Sequence, residues 1–283
     1  PTSNVFEEMY AREHFSKMEW DSYQNEQLHS LILHCYKNVP YYKELFDSLQ
    51  IKPNDIQSKE DLVKIPILTK EIVRKNVDKL IATNIPKSSI KHANTSGSTG
   101  TPLKIFYGKN RTAYLTASIW RILSRSGWKP VEQVVYIWGF DAKSGIVNKL
   151  INKFREFVSG SIYLSAWNAN EADFKLWFNE ITKSNAKVIV CYASAGSRFA
   201  QWMLDNNLTI EGIKGVYCSS EKLYDAQKEV IEKAFNTLVY NFYGCREING
   251  VACTCKNNVM HIYPDVAIVE EGEPNSNGDK PLI

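Results

Sequence analysis

The sequence predicts an α/β protein built on a mostly parallel, doubly wound sheet with helices on both faces, ending in an antiparallel hairpin region. Three observations carry this. From about Arg111 onward, strand-length apolar runs alternate with segments of helical period. The runs Val134 to Trp138 and Val188 to Tyr192 are unbroken, as expected for strands buried on both faces. After Gly250 the pattern changes to short strands separated by turn residues.

The elements follow in order. Residues 1–80 read as a mainly helical lead-in, in which Leu28, Leu31, Ile32, Cys35, Tyr36 and Val39 recur at three- and four-residue steps until Pro40 stops the pattern. The Tyr and Cys of this face read as core. Ser58-Lys59-Glu60-Asp61 predicts a capped turn or short helix, and Thr69 starts another. A helix from Arg111 to Ser124 carries Leu115, Ile119, Ile122 and Leu123 on one side, with Gly127 ending it. The strand Val134 to Trp138 leads to a helix through Val147, Leu150, Ile151, Phe154 and Val158, a short strand Ser161 to Leu164, and a helix through Phe174, Trp177, Phe178 and Ile181. Val188 to Tyr192, a helix through Phe199, Met203 and Leu204, the strand Ile213 to Cys218, a helix from Tyr224 to Phe235, and the strand Leu238 to Phe242 repeat the scheme. Strand, helix, strand in this order implies parallel pairing with right-handed crossovers. Val259 to Tyr263 and Val266 to Glu270, with turns at Asn257-Asn258 and Pro264-Asp265, predict the closing hairpin.

Composition narrows the function classes. A chain of 283 residues can bury a large core. With 34 basic and 31 acidic residues, a net charge of +3 and no long run of one sign, nucleic acid is an unexpected partner. Six cysteines without a disulfide framework fit a reducing compartment, so the cytoplasm is expected. The apolar runs are far shorter than the roughly 20 residues of a spanning helix, so no membrane span is expected. The chain opens on Pro1 and stops at Pro281-Leu282-Ile283 as a strand is starting, which reads as a piece of a longer protein.

The stretch Thr95-Ser96-Gly97-Ser98-Thr99-Gly100-Thr101-Pro102 has the make-up of a phosphate cradle. Two glycines let successive N–H groups converge, and the hydroxyls add short donors. A flexible Ser/Thr/Gly linker has the same composition. Placement argues against a linker, because the stretch opens directly onto the strand-like run Leu103 to Tyr107. It is not the P-loop of NTPases, since no Lys-Ser/Thr pair follows Gly100.

In an open parallel sheet ligands sit beyond the carboxyl ends of the strands. Three sets lie there: Tyr192-Ala193-Ser194, Ser219-Ser220-Glu221 and Tyr243-Gly244-Cys245-Arg246-Glu247. Each has a plainer alternative; Ser-Ser-Glu can simply cap the helix at Tyr224, and the last set can be a turn with an exposed Glu. A fourth constellation is Cys253-x-Cys255-x5-His261, whose thiolates and imidazole suit zinc and which a hairpin could bring together. Three ligands do not close a structural zinc site.

The octapeptide resembles the signature loop of the adenylate-forming enzymes, and Asn241-Phe242-Tyr243-Gly244-Cys245-Arg246-Glu247 resembles their downstream Tyr-Gly-x-x-Glu segment. The pieces Asn38-Val39-Pro40-Tyr41-Tyr42, Ile65-Pro66-Ile67-Leu68-Thr69-Lys70 and Cys255-x5-His261-Ile262 look like the phenylacetate-CoA ligase group, and Tyr-Gly-x-Arg-Glu looks most like its CapK-type, capsular-polysaccharide branch. The resemblance covers nearly the whole chain. It implies that residues 1–283 are an AMP-binding domain, the large N-terminal domain of such enzymes, and that a small C-terminal lid domain lies beyond them.

The function so implied is ATP-dependent, AMP-forming activation of a carboxylic acid for ligation to CoA or another acceptor in polysaccharide assembly. An aryl-acid CoA ligase of catabolism and a non-catalytic nucleotide-binding scaffold are the alternatives. ATP and Mg2+ are the implied cofactors, with CoA and a zinc ion as further candidates; the partners are a small carboxylic acid and its acceptor, and a homodimer is a family expectation.

The resemblance places Thr95, Ser96, Gly97, Ser98, Thr99, Gly100 and Thr101 on the phosphates, with Thr99 also counted catalytic beside Glu247. Glu247 becomes the magnesium ligand, Tyr243 an aromatic face by the base or acyl pocket, Gly244 a point of close backbone approach, and Glu221 an adenine contact, while Arg246 is a phosphate or acid contact or the partner of a surface carboxylate. Cys245 departs from the usual Ser or Thr, which weakens a phosphate hydrogen bond there. Cys255 and His261 resemble half of a zinc site that a distant Cys-x-Cys completes in relatives; Cys253 is a local substitute.

Overall fold

The computed structural model describes residues 2–94, 103–139, 160–276, 278, 280 and 282. The chain divides into two compact units, Pro1–Ala117 with Pro264–Ile283, and Ser118–Tyr263.

The first unit is mainly helical. Helix α1 covers Thr2–Ala11 and α2 Lys17–Asn38, the latter started by a capping box in which Ser16 accepts from the Glu19 amide and Glu19 accepts from Ser16. Val39 breaks α2 and Pro40 occupies the first turn of α3, Pro40–Leu49, where its missing N–H costs nothing. Leu28 and Ile32 of the expected stripe are buried with Phe46 and Ile56, whereas Leu31, at the edge of the stripe, is exposed. The turn at Ser58 and the short helix α4, Lys70–Lys75, capped by the Thr69 hydroxyl, form where the sequence places them. Strands β1, Lys91–Asn94, and β2, Lys104–Tyr107, pair antiparallel with Asn94 opposite Lys104. Helix α5, Arg111–Ser124, contains the unit boundary.

The second unit is a seven-stranded sheet. Its strands are β3, Gln133–Trp138; β4, Ser161–Ser165; β5, Ala186–Cys191; β6, Gly215–Cys218; β7, Val239–Tyr243; β8, Ala252–Thr254; and β9, Met260–Ile262. The order is β4-β3-β5-β6-β7-β8-β9, parallel as far as β7 and antiparallel after it. Helices α6, Glu171–Lys183, α7, Ala193–Asp205, and α8, Asp225–Phe235, follow β4, β5 and β6. Their apolar stripes bury Phe174, Trp177, Phe199, Met203, Ile231 and Phe235 against Ile137, Ile189, Val216 and Val239. The end of α5 meets the opposite face, where the Tyr217 hydroxyl donates to Leu123 O at 2.9 Å and accepts from the Ser126 amide at 3.1 Å. The helix expected through Val147 to Val158 lies outside the described residues.

One expectation is corrected. Val266 to Glu270 is not a strand; the hairpin is formed by β8 and β9, turned at Asn257-Asn258 with Asn258 at φ 59°. The reason is packing. The Asp265 side chain is fully buried against Arg12 at 3.2 Å, and Ile268 packs beside Leu28, Phe46 and Ile56, so this segment is committed to the first unit.

Candidate functional site

The chain runs from β3 outward to β4, then returns to the other side of β3 and continues through β5, β6 and β7. The order of connection therefore reverses between β3 and β5, the place beyond the strand ends where open parallel sheets take ligands. Trp138, the last residue of β3, stacks on Tyr192, the residue after β5, with ring centroids 4.3 Å apart and planes at 27°. A Cβ on Gly139 would lie 3.1 Å from the Tyr192 hydroxyl, so the glycine leaves room for the ring. The sequence marked Tyr192 but not Trp138, which reads as one more residue of an apolar run.

The three strand-end sets meet. The Ser219 amide donates to Cys191 O at 3.2 Å and its buried hydroxyl donates to Phe242 O at 2.8 Å, joining the ends of β5, β6 and β7. Ser220 takes a left-handed conformation, φ 70°, which turns the chain sharply. Glu221 then accepts a hydrogen bond from the Ser194 amide in the first turn of α7. The plainer reading of Ser-Ser-Glu as the cap of the helix at Tyr224 is thus corrected. That helix, α8, is capped by Gln227, whose side chain accepts from the Tyr224 amide at 3.1 Å, and Glu221 serves α7 instead.

Beyond β7 the chain folds back on itself. Tyr243, about half exposed, closes the strand, and its carbonyl accepts from the Val251 amide at 3.0 Å. Gly244 is required locally, because a Cβ there would come within 2.8 Å of Asn249 Oδ1 and 2.9 Å of the Gly250 nitrogen. The close approach expected of Gly244 is therefore made to the protein's own backbone. Cys245 donates its amide to Ile248 O at 2.7 Å and accepts the Ile248 amide on Sγ at 3.4 Å, closing a four-residue turn that presents Arg246 and Glu247 to solvent. Desolvation pushes the Cys245 thiol up from its ordinary value, and its hydrogen bond to the Glu247 carboxylate adds to this. The loop 95–102, with Thr95, Ser96, Gly97, Ser98, Thr99, Gly100 and Thr101, lies outside the described residues; its flanks are the paired strands β1 and β2.

The zinc candidates do not form a site among the described residues. Cys253 and His261 are cross-strand partners, but Cys253 is fully buried and His261 is exposed. Burial pushes the Cys253 thiol up to about 12, and it donates to Thr254 O. Backbone amides of Val259 and Asn257 lower the Cys255 thiol. No group of three or more His, Cys, Asp or Glu side chains is placed to hold a metal among these residues. Glu247 stands exposed in its turn as a single carboxylate; magnesium takes one or two carboxylates and otherwise phosphate and water oxygens.

Comparisons with known proteins agree on one fold and one group. The chain is 27% identical over 245 residues to Protein CapK of Staphylococcus aureus, covering 79% of this chain and 49% of the relative. It is 24% identical over 268 residues to the phenylacetate-coenzyme A ligase of Thermus thermophilus, covering 90% of this chain and 58% of the relative. With the Escherichia coli phenylacetate-coenzyme A ligase it shares 22% over 272 residues, 92% of this chain and 61% of the relative. The chain therefore spans about half to three fifths of the length of these relatives. No family model matches it. A crystal structure of 2-hydroxyisobutyryl-CoA ligase in complex with 2-HIB-AMP and CoA superposes with a TM-score of 0.72 at 18% identity, over 93% of this chain and 57% of that one. That likeness shows a shared fold, a mostly parallel sheet flanked by helices. In sequence the chain is similar to CapK and to phenylacetate-coenzyme A ligases, at 22 to 27% identity over most of its length.

Proposed function

We propose that this chain is the nucleotide-binding part of an ATP-dependent, AMP-forming ligase that activates a carboxylic acid as its acyl-adenylate. The acyl group then passes to CoA or another acceptor. The observation that carries the reading is the meeting of Ser194, Ser219–Glu221 and the end of β7 at the carboxyl edge of a parallel sheet, directly before Tyr243–Glu247. In the reaction a carboxylate oxygen attacks the α-phosphorus of ATP and the bond to the β,γ-phosphates breaks, giving acyl-AMP and pyrophosphate.

Two anions approach only where their charge is neutralised. Glu247 would hold a magnesium ion, which supplies part of that neutralisation when bound. The N–H groups and hydroxyls of 95–101, Thr99 among them, are by resemblance donors suited to phosphate oxygens, and Arg246 is by its charge a partner for a phosphate or the acid. Tyr243 offers an aromatic face to the base, and the switch point beside the stacked Trp138 and Tyr192 receives the acid. The likeness to CapK favours an acceptor in surface-polysaccharide assembly; the likeness to phenylacetate-coenzyme A ligases favours CoA. We place the reaction in the cytoplasm.

Acid-dependent pyrophosphate exchange by the intact protein, screened over carboxylic acids with and without CoA, tests the reading. Glu247→Gln is expected to lower exchange roughly 100- to 1000-fold, the scale of losing one preorganised electrostatic stabiliser, while magnesium-free ATP binding changes little. ATP binding with no exchange for any acid would favour a nucleotide-binding scaffold. Wild-type exchange in the variant at limiting magnesium would remove Glu247 from the metal.

A further inference from the structure

Helix α7 begins without a local cap. Its N-cap residue is Tyr192, whose side chain makes no capping hydrogen bond, although the first amides of a helix require acceptors. The acceptor for the Ser194 amide comes instead from the neighbouring connection, as the Glu221 carboxylate. A carboxylate at this place also faces the positive end of the helix dipole. Two residues earlier, the buried Ser219 hydroxyl holds Phe242 O, the carbonyl immediately before Tyr243. Ser220, at φ 70°, sets the short turn that lets both side chains reach opposite neighbours.

From this geometry we infer that Ser219-Ser220-Glu221 is a positioning turn: Glu221 fixes the start of α7, with Tyr192, and Ser219 fixes the exit of β7, with Tyr243 to Glu247. The inference rests on the nucleotide-site reading above but gives Glu221 a different part from the adenine contact that the resemblance implies. A carboxylate already engaged by a helix amide serves by holding this strand-end corner in place. Its loss would loosen the site for any nucleotide, whatever the base.

The test compares Glu221→Ala with Glu221→Gln, whose amide oxygen can still accept from the Ser194 amide, and Ser219→Ala with Ser219→Thr. Hydrogen exchange is read by mass spectrometry and the affinities for ATP and GTP by calorimetry. Glu221→Ala is expected to speed amide exchange in 193–197 about five- to tenfold, the effect of losing a typical cap, with exchange in 171–183 unchanged as the control for global folding. Glu221→Gln should sit near wild type. Ser219→Ala should speed exchange in 243–247, and Ser219→Thr should restore it. Nucleotide affinity should fall by a similar factor for ATP and GTP.

Unchanged exchange in 193–197 in Glu221→Ala, or a loss confined to ATP, would overturn the positioning role in favour of a direct base contact. If the wild-type protein binds neither nucleotide, the proposed function fails, and the exchange measurements still decide the role of the turn.

Discussion

The strands of residues 118–263 present two unlike faces. Under α6, α7 and α8 the sheet offers Val135, Ile137, Ile189, Val216 and Val239, and the helices answer with Phe174, Trp177, Phe199, Met203 and Phe235. The other face carries Tyr217 stacked on Tyr240 at 4.8 Å, the Tyr217 hydroxyl bonded to Leu123 and Ser126, and the Arg121 guanidinium 4.0 Å over the Tyr263 ring. Strand alternation makes both from one set of backbones. The first face works by volume, since many weak apolar contacts depend on filling space. The second works by assignment, because each hydroxyl must meet particular donors and acceptors. Burial pushes the Tyr217 phenol far up and the Tyr263 phenol up to about 12, so both remain neutral hydrogen-bonding groups.

The largest expected effect probes the volume face. Phe199 is fully buried with Phe174, Trp177, Trp202 and Phe235 around its ring. Phe199→Ala should destabilise by about 3 to 5 kcal/mol in urea unfolding, through lost burial and the cavity left behind. Phe199→Leu should cost much less. Equal losses in the two variants would mean that ring geometry, and not volume, decides this face.

Tyr217→Phe probes the assigned face at almost constant volume. It removes a hydroxyl that donates to Leu123 O and accepts from the Ser126 amide, two groups that also bond to each other at 3.3 Å, with the Ser126 hydroxyl donating to Leu123 O at 3.0 Å. The expected cost is about 0.5 to 1.5 kcal/mol, the net worth of a typical hydrogen bond, since Leu123 O and the Ser126 amide keep their other partners. An unaltered denaturation midpoint would break the contrast between the faces.

The same contrast explains what could be read from the sequence. Helix and strand periods report apolar burial, so α5, α6, α7, α8 and the parallel strands were legible from Leu115, Phe174, Phe199 and Val188 and their neighbours. The closing hairpin was placed one strand too late, because Val266 to Glu270 has strand-like composition while its fate is set by Asp265 meeting Arg12, a partner 253 residues away. At the candidate site the strand-end rule found Ser194, Glu221 and Tyr243. It could not find their partners: that Glu221 serves α7 and that Gly244 yields to Asn249 depend on which turns become neighbours in space. Cys253, Cys255 and His261 show the converse, since suitable spacing in sequence left one thiol buried and the imidazole exposed.

The smallest expected effect concerns the edge of the assigned face. Lys214 Nζ lies 2.6 and 2.8 Å from the Glu132 carboxylate oxygens and 3.0 Å from Gly127 O, while Glu132 also accepts from the Lys129 amide at 2.9 Å. The Lys214 hydrogen bond, ahead of the Lys129 amide, lowers the Glu132 pKa from its ordinary 4.5. A carboxyl whose pKa is lower folded than unfolded adds stability above its unfolded value and loses it as pH falls through the folded one. The contribution should therefore be complete at neutral pH and disappear on acidification below about 4.5. Because both side chains are partly exposed, at 33% and 21%, it should be no more than about 1 kcal/mol. Lys214→Met should lower stability by that amount at pH 7 and by less at pH 3, narrowing the gap between the two acid-unfolding curves. A gap that stayed constant with pH would assign the effect to the Gly127 carbonyl contact and the packed lysine stem, and would extend the rule of particular hydrogen bonds to the rim of this face.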